Sequence, residues 1–194
     1  MSVALAAPRP ALLDRLRSDD LSLGAQAALI AGAAALTSLL AQAEIRVYLW
    51  EVPLTLQTLA VYGSGLVLGR RNGALAMGLY LLLGLALPVF AGGASGMAHL
   101  VGASGGYLVA FPLVAFAVGA LTRRERGTAR TALALVTGSV VLFSCGVLWL
   151  HVAMSHGSWG ESILNGWLRF LPWDLAKLTL VGAGYGIARR MTSA

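Results

Sequence analysis

The chain has 194 residues, of which 58% are hydrophobic and 11% charged, and its mean hydropathy is +0.78. So little polar surface does not cover a water-soluble globule, which excludes the soluble classes of protein. Several apolar runs approach the length that crosses about 30 Å of hydrocarbon, and the many glycines allow close helix packing. The composition therefore predicts an all-α integral membrane protein.

Taken in order, the apolar runs predict six transmembrane helices within one domain over residues 23–190. The spans are expected at about residues 23–43, 53–69, 73–88, 105–121, 131–154 and 171–188. Residues 1–22 form a polar lead-in that is expected to include a short interfacial helix, and residues 191–194 form a tail. Residues 44–52 are charged and aromatic, as at a membrane interface. Residues 89–104 are rich in Gly and Ser, which predicts a partly buried, re-entrant loop.

The basic residues indicate the orientation of these spans. If the N-terminus is cytoplasmic, all but three of the 14 Lys and Arg lie on the inner side. The exceptions are Arg46, Arg169 and Lys177. The positive-inside rule therefore predicts that both termini are cytoplasmic. Because the formal charge of +6 is spread over four inner segments and forms no stripe, no nucleic-acid partner is expected.

An acid and an amine, Asp174 and Lys177, lie three residues apart at the front of the last span. Each would cost roughly 2.5–3.5 kcal/mol at the centre of a membrane helix, so such residues usually pair or serve a ligand or ion path. Positions i and i+3 share one helix face. Two interpretations follow: an ion pair that fixes helix packing, or a clamp for a polar ligand. With the loops 44–52 and 89–104 on the same outer side, the clamp predicts an outward-facing pocket.

The first span carries a stripe of small residues, Ala27, Ala31 and Ala35, at a four-residue period. Residues of this size at this spacing let another helix approach closely. The stripe therefore indicates either packing within the fold or docking of a partner subunit, and the pattern does not choose between them.

The remaining polar residues do not form a known catalytic or metal-binding motif. His99, His151 and His156 make no i, i+4 pair and have no acidic neighbours at metal spacing, so no metal site is expected. No Gly-rich phosphate loop is present for ATP hydrolysis, and no serine lies in a nucleophile elbow. No catalytic residue is therefore expected, although an intramembrane enzyme using Asp174 and Lys177 is a further hypothesis.

Several motifs follow one another between residues 52 and 177. They are Val52-Pro53-Leu54-Thr55-Leu56-Gln57, Leu68-Gly69-Arg70-Arg71-Asn72-Gly73, Leu87-Pro88-Val89-Phe90-Ala91-Gly92-Gly93, Gly105-Gly106-Tyr107-Leu108 and Asp174-Leu175-Ala176-Lys177. On these motifs the chain resembles the BioY family, the biotin-specific membrane subunits (S components) of energy-coupling factor (ECF) transporters. One departure is Gly102-Ala103-Ser104, where the family usually has Gly-Pro-Thr.

The resemblance implies an S-component-like bundle of six helices in the bacterial cytoplasmic membrane, with biotin as ligand and no cofactor. It also implies that the alanine stripe docks onto a transmembrane coupling subunit that works with two cytoplasmic ATPases, in contact with membrane lipid. The ligand-binding residues it implies are Asp174, Lys177, Thr55, Gln57, Phe90, Gly92, Gly93, Tyr107 and Trp173. A freestanding channel or facilitator for a small polar solute is the alternative.

These residue types match the groups of biotin. Its ureido ring has two N–H donors and one carbonyl acceptor, so Asp174 can accept an N–H while Lys177 donates to the carbonyl or to the carboxylate tail. The three aromatic residues can wall the apolar ring, and the backbone at Gly92 and Gly93 can approach it closely. Thr55 and Gln57 can add hydrogen bonds.

Overall fold

The computed structural model describes residues 12–17, 21–48, 50–124 and 127–192. The helices are α1 Leu12–Arg15, α2 Leu23–Gln42, α3 Gln57–Ala86, α4 Met97–Val101, α5 Gly105–Leu121, α6 Thr128–Ala153, α7 Trp159–Gly166 and α8 Leu171–Thr192. Short 3₁₀ turns lie at Ala91–Gly93 and Leu168–Phe170. The described chain is therefore mostly helical, as the composition predicts.

Helix α3 is a helical hairpin and not a single rod. Gly69 has φ 76° and ψ −176°, a conformation that favours glycine and interrupts the helix. Beyond Gly69 the chain turns back on itself. The evidence is that Gln57 Nε2 donates to Tyr80 Oη. In a straight helix these residues, 23 apart in sequence, would be separated by roughly 34 Å. The two arms, residues 57–68 and 70–86, correspond to the second and third predicted spans.

With the two arms counted separately, the described part of the chain contains six long helical segments, and these form the bundle. The α3 hairpin packs between α2 and α5, α6 packs against α5, and α8 closes the bundle against α3 and α6. Within the described residues, three stretches are long and apolar enough to cross a membrane: Leu23–Gln42, Gln57–Gly93, which contains the hairpin, and Thr128–Ala153. Helix α5 is shorter but also apolar.

Small residues permit the close packing at the centre of the bundle. A Cβ atom on Gly65 would lie 2.7 Å from the carbonyl oxygen of Ala115 on α5, and one on Gly73 would lie 2.9 Å from the carbonyl oxygen of Ser64 in the opposite arm. Both distances are too short for any side chain. The glycines therefore set the spacing between the α3 arms and between α3 and α5, as is common in membrane helices.

One short segment departs from the expected all-α fold. Strand β1 Glu44–Ile45 pairs antiparallel with β2 Leu54–Thr55, with Glu44 opposite Thr55 and Ile45 opposite Leu54. This pairing satisfies backbone groups between α2 and α3 that would otherwise be left unpaired. The strands bring residues 46–48 and 50–53 over one end of the bundle, which is where the candidate site lies.

The predicted loops also contain helix. Residues 89–104 include the turn Ala91–Gly93 and α4, and the connection 156–169 contains α7.

Of the predicted polar lead-in, only residues 12–17 and 21–22 are described. Helix α1 lies against α8, and Arg17 donates to the carbonyl oxygens of Gly119 and Thr122. Residues 1–11 and 18–20 lie outside the described residues. Of the predicted tail, Met191 and Thr192 continue α8.

Candidate ligand-binding site

A cavity lies at the end of the bundle that is covered by residues 46–48 and 50–53. Its wall is mostly apolar, with aromatic side chains from four places in the chain, and its polar groups come mainly from the starts of α3 and α8. The aromatic lining residues are Tyr107, Phe111, Phe143, Phe170 and Trp173. The polar lining residues are Thr55, Gln57, Thr58, His99, Ser104, Asp174 and Lys177. An apolar wall with a few placed polar groups is the usual character of a small-molecule site.

Asp174 is buried at the inner side of the cavity and is held by two hydroxyl groups. Its side chain is 3% exposed, Tyr62 Oη donates to its Oδ1 at 3.0 Å, and Ser139 Oγ donates to its Oδ2. Tyr62 belongs to α3 and Ser139 to α6, so the carboxylate joins three helices. A carboxylate offers about four lone-pair sites, and these contacts use two. The orientation is therefore fixed while acceptor capacity remains.

Lys177 lies one helical turn further along α8 and contacts the start of α3. Its Nζ donates to the backbone carbonyl of Thr55 at 2.6 Å and to Thr58 Oγ1 at 3.1 Å. Asp174 and Lys177 form no ion pair within 4.0 Å in the described structure. The interpretation as a direct ion pair is therefore wrong. An ammonium group has three donors, so one remains after these two bonds.

The other two polar residues predicted at the site extend this hydrogen-bonded wall. Thr55 Oγ1 donates to Gln57 Oε1 at 2.8 Å, and Gln57 Nε2 donates in turn to Tyr80 Oη. Tyr80 Oη lies 3.4 Å from the backbone carbonyl of Val89. Gln57 is therefore engaged at both ends of its amide. This chain of bonds holds the start of α3 against its second arm, below the cavity.

The predicted aromatic residues separate into two groups. Tyr107 lines the cavity and donates to the Gly166 carbonyl at 2.6 Å, and Trp173 lines it while remaining 51% exposed. Phe90 is fully buried outside the cavity wall, edge-on to Tyr80 at 5.5 Å between ring centroids. The prediction that Phe90 walls the ligand does not match this placement, since its ring supports the wall from behind.

Gly92 and Gly93 are likewise not lining residues of the cavity; their neighbour Ala91 is. Both glycines have positive φ, at 65° and 71°. A Cβ on Gly92 would lie 2.6 Å from Glu44 Oε1. The close approach expected at Gly92 therefore exists, but in this structure it is to the β1 segment and not to the cavity.

The sequence reasoning missed several residues of the site. Tyr62 and Ser139, which hold Asp174, lie in apolar spans that also carry other hydroxyl residues such as Ser64 and Thr137, so the sequence does not single them out. His99 was considered only as a metal ligand, yet it lines the cavity and stacks on Phe90 at 5.1 Å between ring centroids. Burial lowers the pKa of His99, and the nearby Arg46 lowers it further. A neutral imidazole can both donate and accept a hydrogen bond.

The alanine stripe faces away from the bundle. Ala27, Ala31 and Ala35 are exposed, whereas Ala34 and Thr37 of the same helix are fully buried. The stripe does not pack within the described chain, so the interpretation as packing within the fold is wrong. Among the described residues, no group of three His, Cys, Asp or Glu side chains is placed to hold a metal ion.

Comparison with known proteins places the site in context. The BioY family model matches residues 15–193. The chain is 39% identical over 153 residues to the probable biotin transporter BioY of Pyrococcus horikoshii, covering 78% of this chain and 88% of that protein. It is 37% identical over 137 residues to the biotin transporter BioY of Thermotoga maritima, covering 70% and 80%.

A solved structure has the same fold. The crystal structure of the S-component for biotin from an ECF-type ABC transporter superposes with a TM-score of 0.78 at 25% sequence identity. The match covers 90% of this chain and 95% of that one. The arrangement of helices around the cavity is therefore that of an S component.

Proposed function

This chain belongs to the BioY family, and on that premise we propose that it captures biotin for uptake across the cytoplasmic membrane, working with ECF coupling and ATPase subunits. It is a multi-pass cytoplasmic membrane protein, and members of its family are transporter subunits and not enzymes. The observation that carries the proposal is the buried Asp174 carboxylate, which keeps spare acceptor capacity beside the Lys177 ammonium in an apolar cavity.

The two charged groups fit the two polarities of a ureido ring. Asp174 has two lone-pair sites left for N–H donors, and Lys177 has one N–H left for a carbonyl or carboxylate oxygen. The aromatic lining residues supply the apolar surface for the rest of the ligand. Hydrogen bonds to charged groups contribute about 1.5–3 kcal/mol each, so this pair can dominate recognition.

Ligand entry requires the mouth of the cavity to widen. The cavity has a volume of about 70 Å³, which is room for a few water molecules and less than biotin needs. The connections that cover it, residues 46–48, 50–53, 91–104 and 167–170, are the parts that can move without breaking a long helix. We infer that these connections open and then close over the bound ligand.

We infer six membrane spans with both termini cytoplasmic. Support comes from the six long helical segments and from the basic residues: Arg70, Arg71 and Arg123 line one polar cavity at the bundle end remote from Asp174. That end is the inner one under the positive-inside rule, and the ligand cavity then opens outward.

Binding of labelled biotin to the detergent-purified chain tests the proposed ligand. We expect saturable binding by the chain alone, with unlabelled biotin as competitor and an unrelated carboxylate vitamin as control. Absence of binding by folded protein would overturn biotin capture. The alternative, a freestanding channel or facilitator, predicts that cells expressing this chain alone accumulate solute as fast as cells that also express ECF partners.

Substitution of the alanine stripe tests partner docking. Ala31 is exposed, and a small side chain at this position would let a helix of the coupling subunit approach closely. Ala31→Trp adds a large ring there, so we expect at least about tenfold weaker co-purification with the coupling subunit. Biotin binding by the isolated variant should be unchanged, because Ala31 does not line the cavity. Leu180→Trp on the exposed face of α8 is the matched control. Equal co-purification of both variants with the parent would refute the docking role.

A further inference from the structure

A second polar network lies beside the mouth of the cavity, outside the ligand wall. Ser162 of α7 is fully buried, and its Oγ lies 2.8 Å from His151 Nδ1 and 3.0 Å from His156 Nδ1. The other ring nitrogen of His156, Nε2, lies 2.8 Å from Glu51 Oε1. The network therefore connects the end of α6, the α6–α7 turn, α7 and the segment between β1 and β2.

Counting protons shows how the histidine and serine groups of the network can pair. A carboxylate only accepts, so His156 Nε2 carries a proton toward Glu51. Ser162 has one hydroxyl proton and three possible acceptors, the two Nδ1 atoms and the Ser158 carbonyl oxygen at 3.3 Å, so at least one Nδ1 donates to the hydroxyl oxygen. Ser158 N-caps α7 by accepting from the Glu161 backbone N–H, which holds Ser162 in place. His156 thus links Ser162 of α7 to Glu51.

The contact with Glu51 acts directly on the cavity wall. The residues that follow it, Val52, Pro53 and Leu54, all line the cavity. Glu51 Oε2 is buried without a hydrogen-bond partner, so the contact through Oε1 is the hydrogen bond that the structure shows for this carboxylate. Loss of His156 would leave a largely buried carboxylate unpaired, which is costly.

A neighbouring aromatic contact reinforces the same segment. Trp50 packs against Phe170, a cavity-lining residue, at 5.2 Å between ring centroids, and the Arg169 guanidinium lies 5.9 Å from the centroid of Trp50. The segment 50–54, the mouth segment, is therefore attached to the α6–α8 connection at two adjacent points. One attachment is the hydrogen bond between Glu51 and His156, and the other is the ring contact of Trp50.

We propose that Glu51 and His156 are positioning residues that hold the mouth segment closed over the cavity, and that breaking their contact is a step in ligand release. Opening separates the carboxylate from the imidazole and exposes Val52 and Leu54; closing restores the bond. The inference rests on the proposed function for the identity of its ligand, but the attachment itself can be measured without any ligand.

Hydrogen exchange of the ligand-free protein tests the attachment. In Glu51→Ala we expect the amides of residues 50–56 to exchange at least about tenfold faster than in the parent, because the segment opens more often. Two of these amides are reporters: Trp50 N–H donates to Val47 O, and Leu56 N–H donates to Ala43 O. Glu51→Gln keeps an acceptor oxygen and should restore slow exchange. Unchanged exchange in Glu51→Ala would overturn the proposal.

Dissociation of labelled biotin tests the consequence for release. We expect about tenfold faster dissociation from Glu51→Ala and from His156→Ala, near-parent rates from Glu51→Gln, and no further increase in the double variant, since the two residues act through one contact. Glu161→Gln, an exposed acid beside Ser162, is the matched control and should not change the rate. Faster exchange without faster dissociation would refute the role in release. Failure of the parent to bind biotin would instead refute the proposed function, while the exchange result would still stand.

Discussion

Asp174→Asn is expected to weaken biotin binding by at least about tenfold. The charge-assisted hydrogen bond that it removes contributes about 1.5–3 kcal/mol, and 1.4 kcal/mol corresponds to a factor of ten. The loss of affinity should exceed that from removing the charge alone, because Tyr62 and Ser139 donate to different oxygens of the carboxylate. An asparagine offers one oxygen and would face one of these hydroxyls with its NH₂ group. Equilibrium binding of labelled biotin to the purified variant measures the effect.

Two further substitutions distinguish the carboxylate from its supports. Tyr62→Phe and Ser139→Ala each remove one donor to Asp174 and keep the charge, so each should reduce affinity less than Asp174→Asn does. Thermal unfolding without ligand must accompany these measurements, since all three residues are buried. If Asp174→Asn is folded and binds biotin as tightly as the parent, the carboxylate is structural and the proposed clamp is wrong.

Lys177→Met should also weaken biotin binding by about tenfold or more, since it removes the ammonium donor beside the cavity. The variant keeps a side chain of similar length but leaves the Thr55 carbonyl and Thr58 Oγ1 without their donor. We therefore expect some loss of thermal stability in addition. Thr58→Val is the matched control, because it removes one acceptor of the ammonium and leaves the ammonium in place. Its affinity should stay much closer to that of the parent.

The sequence allows an independent measurement at the same position. Lys177 is the only lysine in the chain, so reductive methylation followed by peptide mass spectrometry reports on its ammonium group apart from the N-terminal amine. Saturating biotin should slow methylation of Lys177 several-fold if the ligand occupies its remaining donor. Equal rates with and without bound biotin, together with parent-like affinity of Lys177→Met, would place this residue outside the binding contacts.

The helical bundle was predictable because apolar run length is a local property. Each long segment of the structure corresponds to a run that the sequence shows, and the reversal at Gly69 falls where the apolar run ends before Arg70 and Arg71. The β1–β2 pair, α4 and α7 were not predicted. These elements have two to eight residues, too few for a periodic signal, and their backbone bonds form only because neighbouring helices hold the segments there.

The site was predictable in its charges and less so in its geometry. Asp174 and Lys177 could be identified because a charge in an apolar run is costly and needs a reason. Their partners could not be identified, since Tyr62 and Ser139 come from helices distant in sequence. The motif around Phe90 to Gly93 marks the correct neighbourhood, yet the wall is formed by Ala91 while Phe90 packs behind it and Gly92 meets Glu44.

By itself, the sequence determined the membrane class, the long helical segments, the charged pair of α8 and the family resemblance, because each follows from residue type and local order. Only the tertiary structure decided that Asp174 and Lys177 do not pair with each other, that the alanine stripe faces outward, and that Glu51 meets His156 across 105 residues. These facts depend on which helix faces approach one another. Packing in three dimensions sets that arrangement, and the local pattern of hydrophobic residues does not encode it.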